Sequence, residues 1–183
     1  MTGERLASLR ALLDALACPA MVVGGLAVAA RGEPRFTRDA DVTIVVPDAA
    51  LPGVVSRAAD AGFRALAGDP VAFARSHGVI PCERIADGWR VDLILAMSPY
   101  EEAAVARATL ERAEDVLLPI ATAEDLVVLK LLAGRPQDLD DVRSVVARAG
   151  AALDRTAIRL VLDEVAAATG DDALRVRTDE LLG

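Results

Sequence analysis

The chain has 183 residues, 54% of them hydrophobic and 3% aromatic, with a formal net charge of −8 and an isoelectric point near 4.7. That length can bury a full hydrophobic core, and that composition excludes a disordered chain. The acidity, with no long basic run, excludes broad non-specific binding to nucleic acid, while a local basic patch at an RNA end or a cationic small molecule stays compatible with it.

Leu6, Leu9, Leu13 and Leu16 recur at helical spacing, so residues 4–17 are expected to form an amphipathic helix stopped by Pro19. Arg5 and Arg10 precede an apolar stretch over 15–30 in which Ala27-Val28-Ala29 is cleavage-like. Asp14, Pro19 and Gly24-Gly25 interrupt that stretch, which is too short and broken to span a bilayer. The expectation is a cytoplasmic protein without membrane association. Two cysteines, Cys18 and Cys82, and one histidine, His77, do not make a zinc site, and two buried thiols are expected.

A short strand over 20–24 runs into Gly24-Gly25 and a helix over 25–31. Gly32–Arg38 reads as a loop carrying Arg35, Thr37 and Arg38. A strand over 40–46 ends at Pro47-Asp48, and a helix over 48–61 stops at Gly62. His77 is read as a surface residue in the polar turn Arg75-Ser76-His77-Gly78. The apolar runs 78–86 and 89–96, joined by Asp87-Gly88, predict a hairpin. Pro99 opens a helix to about residue 107, and short strands are expected at 109–113 and 116–120. Thr122, with Asp125 three residues on, opens a helix that Gly134 and Pro136 end. Residues 137–183 read as three helices split near Gly150 and Gly170. The domain expectation is an α/β core over 1–121 and a helical C-terminal part over 122–183.

The chemistry concentrates in three places. Asp39 and Asp41 stand at i and i+2 on a strand, so their side chains share a face one pleat apart. Two like charges so placed repel unless a cation lies between them. Gly24-Gly25 puts bare backbone N–H groups at a helix N-terminus, which suits phosphate. Asp92 interrupts the apolar strand Val91–Leu95, where a carboxylate is costly unless partnered. Its partner would be a cation held by Asp39 and Asp41 if the strands are adjacent, and its alternative partner is Arg90 or an exposed edge. Three carboxylates on neighbouring strands can hold two divalent ions, roughly 3.5–4 Å apart, that clamp an in-line phosphoryl displacement. Lys130, in an otherwise apolar helix, must reach a rim or an anion. Asp138 and Asp141 read as an N-cap and first-turn acid of the next helix.

Gly24-Gly25, Asp39-Ala40-Asp41-Val42 and the isolated strand residue Asp92 together resemble the DNA polymerase beta-like nucleotidyltransferase superfamily. Arg35-x-Thr37-x-Asp39-x-Asp41, with the distal Lys130, Asp138 and Asp141, is similar more narrowly to bacterial abortive-infection type IV toxin-like nucleotidyltransferases. The resemblance implies an α/β (α+β) nucleotidyltransferase core with a mixed, mostly antiparallel sheet and a helical C-terminal part. It implies two Mg²⁺ ions, with Mn²⁺ an alternative, on Asp39, Asp41 and Asp92, and an NTP whose phosphates face Gly24 and Gly25. Thr37, Arg38 and Lys130 are the further nucleotide-binding candidates. Relatives often carry Ser where this chain has Gly25, which removes a side-chain hydroxyl from the phosphates.

The implied activity is transfer of an NMP to an acceptor hydroxyl: an RNA 3′ end in toxin-like members, a protein, or an aminoglycoside-type antibiotic. A non-catalytic nucleotide-binding partner in a toxin–antitoxin pair, with a partner protein, is the alternative of another class. A Mg²⁺-dependent hydrolase built on a similar carboxylate cluster is a third.

Overall fold

The structure is a computed structural model and describes residues 2–33 and 37–183. The chain divides into two compact units. One is Met1–Leu26 with Phe36–Ala121, and the other is Ala27–Arg35 with Thr122–Gly183.

The first unit is built on a sheet. Its strands are β1 (Ala20–Val23), β2 (Asp39–Ile44), β3 (Phe63–Ala65), β4 (Val79–Arg84), β5 (Arg90–Leu95), β6 (Thr109–Ala113) and β7 (Val116–Ile120). They lie in the order β3-β4-β5-β2-β1-β7-β6. The pairs β1–β2, β3–β4, β4–β5 and β6–β7 are antiparallel, whereas β2–β5 and β1–β7 are parallel. The sheet is therefore mixed and mostly antiparallel, as the sequence implied. Helix α1 (Gly3–Leu16) packs on α3 (Leu51–Asp60) and on β7, burying Leu6, Leu9, Leu12, Leu13 and Leu16. Leu6, Leu9, Leu13 and Leu16 are the apolar face expected from their helical spacing, and Leu12 joins them. Helix α5 (Pro99–Arg107) lies against β1 and β2.

Helix α2 (Gly24–Arg31) begins at the residue after β1 ends. The expected helix over 48–61 begins as a 3-10 turn at Asp48–Ala50 before α3 takes over. Residues 63–77, unassigned from the sequence, form β3 and helix α4 (Pro70–His77). Asp69 caps α4 by accepting from the Ala72 N–H at 3.0 Å, and Gly78 ends it at φ +70°. His77 therefore closes a helix, where it stacks on Phe73, instead of lying in a turn; it is exposed, as expected. The hairpin at Asp87-Gly88 and the strands at 109–113 and 116–120 stand where the sequence puts them. Cys82 is buried and Cys18 half-buried, both as free thiols.

The second unit is helical: α6 (Ala123–Ala133), α7 (Pro136–Ala149), α8 (Arg155–Thr169) and α9 (Asp172–Leu182). Each start follows from a cap or a proline. Thr122 accepts from the Asp125 N–H at 3.0 Å, Pro136 opens α7, and Asp154 and Asp171 cap α8 and α9. Leu126, Val127, Val128, Leu131, Val142, Val145, Ile158, Leu162, Ala166 and Leu174 form its core. Among the described residues no helix is long and apolar enough to cross a membrane.

Candidate active site

Strand alternation separates two faces of the first unit's sheet. Ala40, Val42 and Ile44 on β2, with Val91 and Leu93 on β5, are buried. The intervening residues, Asp39 and Asp41 on β2 and Arg90 and Asp92 on β5, fall on the opposite face. β2 and β5 are parallel and in register, with Asp39 opposite Arg90 and Asp41 opposite Asp92. Neighbouring strands lie about 4.8 Å apart. Asp39, Asp41 and Asp92 thus share one face on two adjacent strands.

On its other side β2 pairs with β1, and Val23 is the register partner of Asp41. The next residue is Gly24, which turns the chain out of the strand at φ +61°. A Cβ at Gly24 would stand 1.9 Å from Asp41 Oδ2. The Asp41 carboxylate therefore lies directly against the Gly24 backbone, and only glycine satisfies both the left-handed φ and that approach. Gly25 follows, buried, in the first turn of α2.

The carboxylates differ in environment. Asp39 is exposed, and the Thr37 hydroxyl reaches its main-chain oxygen at 2.9 Å and its Oδ1 at 3.1 Å. Asp92 is half-buried, and its Oδ1 is fully buried with no hydrogen-bond partner among the described residues. Burial pushes the Asp92 carboxyl above the usual carboxylate range; the Arg90 charge opposes this and the Asp39 charge adds to it. On β4 behind it, burial and the Asp92 charge push the Cys82 thiol up to about 12, so that thiol is inert at neutral pH.

Among the described residues no three His, Cys, Asp or Glu side chains are gathered into a formed metal-ligand cluster. The donor set nevertheless suits a hard divalent cation. Its groups are all carboxylates, they share a sheet face, and one carries an orphaned buried oxygen.

The remaining expected residues divide. Thr37 is buried and bound to Asp39, and Arg38 is exposed beside it. Arg35 lies outside the described residues. Lys130 belongs to the second unit. It is buried, and its ammonium holds Asp138 Oδ1 and Asp141 Oδ2 at 2.8 Å each. Asp138 also accepts from Arg135 Nε at 2.6 Å and from the Arg135 N–H at 3.3 Å. It serves the α7 N-terminus from the first turn and not as the expected N-cap, a place Arg135 takes; it is buried, as is Asp141, which lies beyond the first turn. Burial would raise the Asp138 carboxyl, yet the Arg135 and Lys130 hydrogen bonds outweigh it and leave the group below the usual range. Arg90 entered the sequence reading only as a counter-charge for Asp92. The i, i+2 spacing of Arg90 and Asp92 already placed both on one face.

No protein-family model matches the sequence, and no curated protein matches it. Solved structures do. The antibiotic-resistance factor ANT(2″)-Ia in solution superposes at a TM-score of 0.60 with 15% identity, over 92% of this chain and 96% of that one. ANT(2″)-Ia in crystals with adenylyl-2″-tobramycin gives 0.57 and 17%, over 95% and 98%. An antigenic nucleotidyltransferase-like protein from Paracoccidioides brasiliensis gives 0.57 and 16%, over 98% and 94%. At these identities the shared property is the fold, and the chain has the fold of nucleotidyltransferases.

Proposed function

We propose that this chain is a metal-dependent nucleotidyltransferase that moves an NMP from an NTP to an acceptor hydroxyl. The observation that carries the reading is the register of Asp41 beside Asp92, with the Asp41 carboxylate seated on Gly24. Asp39, Asp41 and Asp92 are the groups that would hold divalent ions, which when bound neutralise charge on the phosphoryl oxygens and lower the pKa of a bound hydroxyl.

The chain's own groups do the rest. The N–H groups of Gly24 and Gly25 open α2 toward an anion and take the NTP phosphates. Thr37 orients Asp39 by hydrogen bond. Arg38 supplies positive charge to the phosphates. Asp92 is the base: its carboxylate takes the acceptor proton as the hydroxyl oxygen bonds to the α-phosphorus. The bond from that phosphorus to the bridging oxygen breaks, and pyrophosphate leaves. Lys130, which holds Asp138 and Asp141, is assigned to that cluster and not to the phosphates, and the alternative is tested below.

The similarity to ANT(2″)-Ia in complex with adenylyl-2″-tobramycin supports a hydroxyl on a small molecule as acceptor. The motif resemblance through Thr37, Lys130, Asp138 and Asp141 supports an RNA 3′ end, with a toxin-like role, a cognate partner protein and a cytoplasmic location.

The test is incubation with each labelled NTP and Mg²⁺ against total RNA, total protein and an aminoglycoside. Label is expected on one acceptor class, with pyrophosphate released only when that acceptor is present. Asp41→Ala is expected to abolish transfer with the protein still folded; transfer retained by that variant refutes the reading.

A further inference from the structure

The sheet face that carries Asp39, Asp41 and Asp92 also carries cations: Arg64 on β3, opposite Glu83, is one, and Arg90 is another. Arg90 opens β5, is exposed, and stands one pleat before Asp92. Its register partners are carboxylates on both sides, Asp39 on β2 and Glu83 on β4. Each of those acids is engaged elsewhere. Asp39 takes the Thr37 hydroxyl at 3.1 Å, and Glu83 takes Arg64 Nε at 2.7 Å. The Arg90 side chain makes no hydrogen bond or ion pair with any described residue. Elsewhere in this acidic chain, Arg64, Arg75, Arg84, Arg143, Arg159 and Arg175 all hold carboxylates.

Position says which ligand such a cation would meet. The glycine turn lies at the end of β1, on one flank of β2; β5 lies on the other flank. Arg90 is therefore about two strand spacings, on the order of 10 Å, from the proposed phosphate cradle. It stands on β5 beside Asp92, the group to which the acceptor hydroxyl is assigned. Along β5, Arg90 and Asp92 are separated by roughly 7 Å, the repeat of one pleat. A ribonucleotide carries a phosphate and a free hydroxyl on one sugar, a pairing that this repeat can serve.

We propose that Arg90 is a specificity-determining residue that binds an anionic phosphate of the acceptor while the neighbouring hydroxyl is presented to Asp92. This rests on the nucleotidyltransferase reading. It selects a phosphate-bearing acceptor and disfavours a polycation, which Arg90 would repel. The phosphate could belong to the 3′ end of an RNA strand or to a free nucleotide.

The experiment separates Arg90 from the chemistry. Binding of the full chain is measured without NTP or divalent ion, using a labelled oligoribonucleotide with a free 3′ hydroxyl, AMP, and tobramycin as three separate probes. Arg90→Ala should keep its melting temperature, because the side chain is exposed and holds nothing. It is expected to weaken the oligoribonucleotide about 10-fold and to lower the salt slope of binding by about one, with Arg90→Lys in between. Weakening confined to AMP assigns the phosphate to a free nucleotide. Equal affinity of wild type and Arg90→Ala for both phosphate probes, no binding of either probe by wild type, or weaker tobramycin binding by the variant overturns the proposal.

In the transfer assay the variant should raise the acceptor KM about 10-fold, leaving the NTP KM unchanged. A raised NTP KM with an unchanged acceptor KM also overturns it. Wild type that transfers nothing refutes the nucleotidyltransferase reading, and the binding measurements still decide Arg90.

Discussion

Two regions of this molecule bury aspartates, and they handle the charge in opposite ways. In the helical unit Asp138 is 1% exposed, and each of its oxygens is occupied by Lys130 or Arg135. On the sheet face of the first unit, Asp92 has a buried oxygen that no described group satisfies. A buried carboxylate without a partner is costly, and a chain that folds around one gains nothing structurally from keeping it. The compensated cluster accounts for itself as structure, whereas the uncompensated one needs something the polypeptide does not supply. That contrast, more than the presence of acids in either place, is what makes the sheet face the candidate site.

The largest expected effects test whether the two roles are exclusive. Asp41→Ala should lower transfer by a factor on the order of 10³ or more, since groups acting as one catalytic unit fail together. Its thermal stability should change little. Lys130→Met should do the reverse. It removes the ammonium that two buried carboxylates share, which costs about 3–5 kcal/mol, or a fall in melting temperature of roughly 6–20 °C for a chain of this size. Calorimetry on both variants decides. A Lys130→Met protein that melts like wild type but has lost NTP binding makes Lys130 a phosphate ligand and removes the contrast.

Gly24→Ala should fall between these. Alanine at φ +61° costs about 1–2 kcal/mol, and its Cβ would occupy the place of Asp41 Oδ2. The carboxylate must swing away, so transfer should drop roughly 100-fold. A variant with full activity would mean that the seat of Asp41 on the turn is incidental.

Much of this was legible in the sequence, for identifiable reasons. Strand alternation fixed the shared face of Asp39 and Asp41, the Asp87-Gly88 turn fixed the β4–β5 hairpin, and Thr122 with Asp125 fixed the start of α6. The register of β2 against β5 was not legible, because parallel pairing of strands far apart in sequence leaves no local signal. β3 and α4 escaped notice because a three-residue strand and an eight-residue helix are too short for periodicity to register. The buried state of Asp138 and Asp141 escaped because acids in a first turn are ordinarily solvated caps. Only the fold of α6 against α7 brings Lys130 onto them.

The smallest effect sharpens the comparison most, because the two regions should respond to pH with opposite sign. Asp138 titrates below its unfolded value, so the folded state binds fewer protons. Its contribution is present above the unfolded pKa of about 3.9 and is lost as pH falls through the lower folded value. Asp92 titrates above its unfolded value, chiefly through burial. Its penalty is absent below about 3.9 and complete once pH has risen past the folded value, so without a cation it subtracts stability at neutral pH. Asp92→Asn should therefore be more stable than wild type at pH 7 by no more than about 1 kcal/mol, and the gain should vanish by about pH 3. Asp138→Asn should instead lose stability at pH 7 and erase part of the acid limb. Melting curves between pH 3 and 7 read both. Added Mg²⁺ with NTP should then raise the wild-type melting temperature but not that of Asp92→Asn. If the Asn variant loses stability at pH 7, Asp92 is already satisfied by its own fold, and the sheet face becomes a second structural cluster like the first.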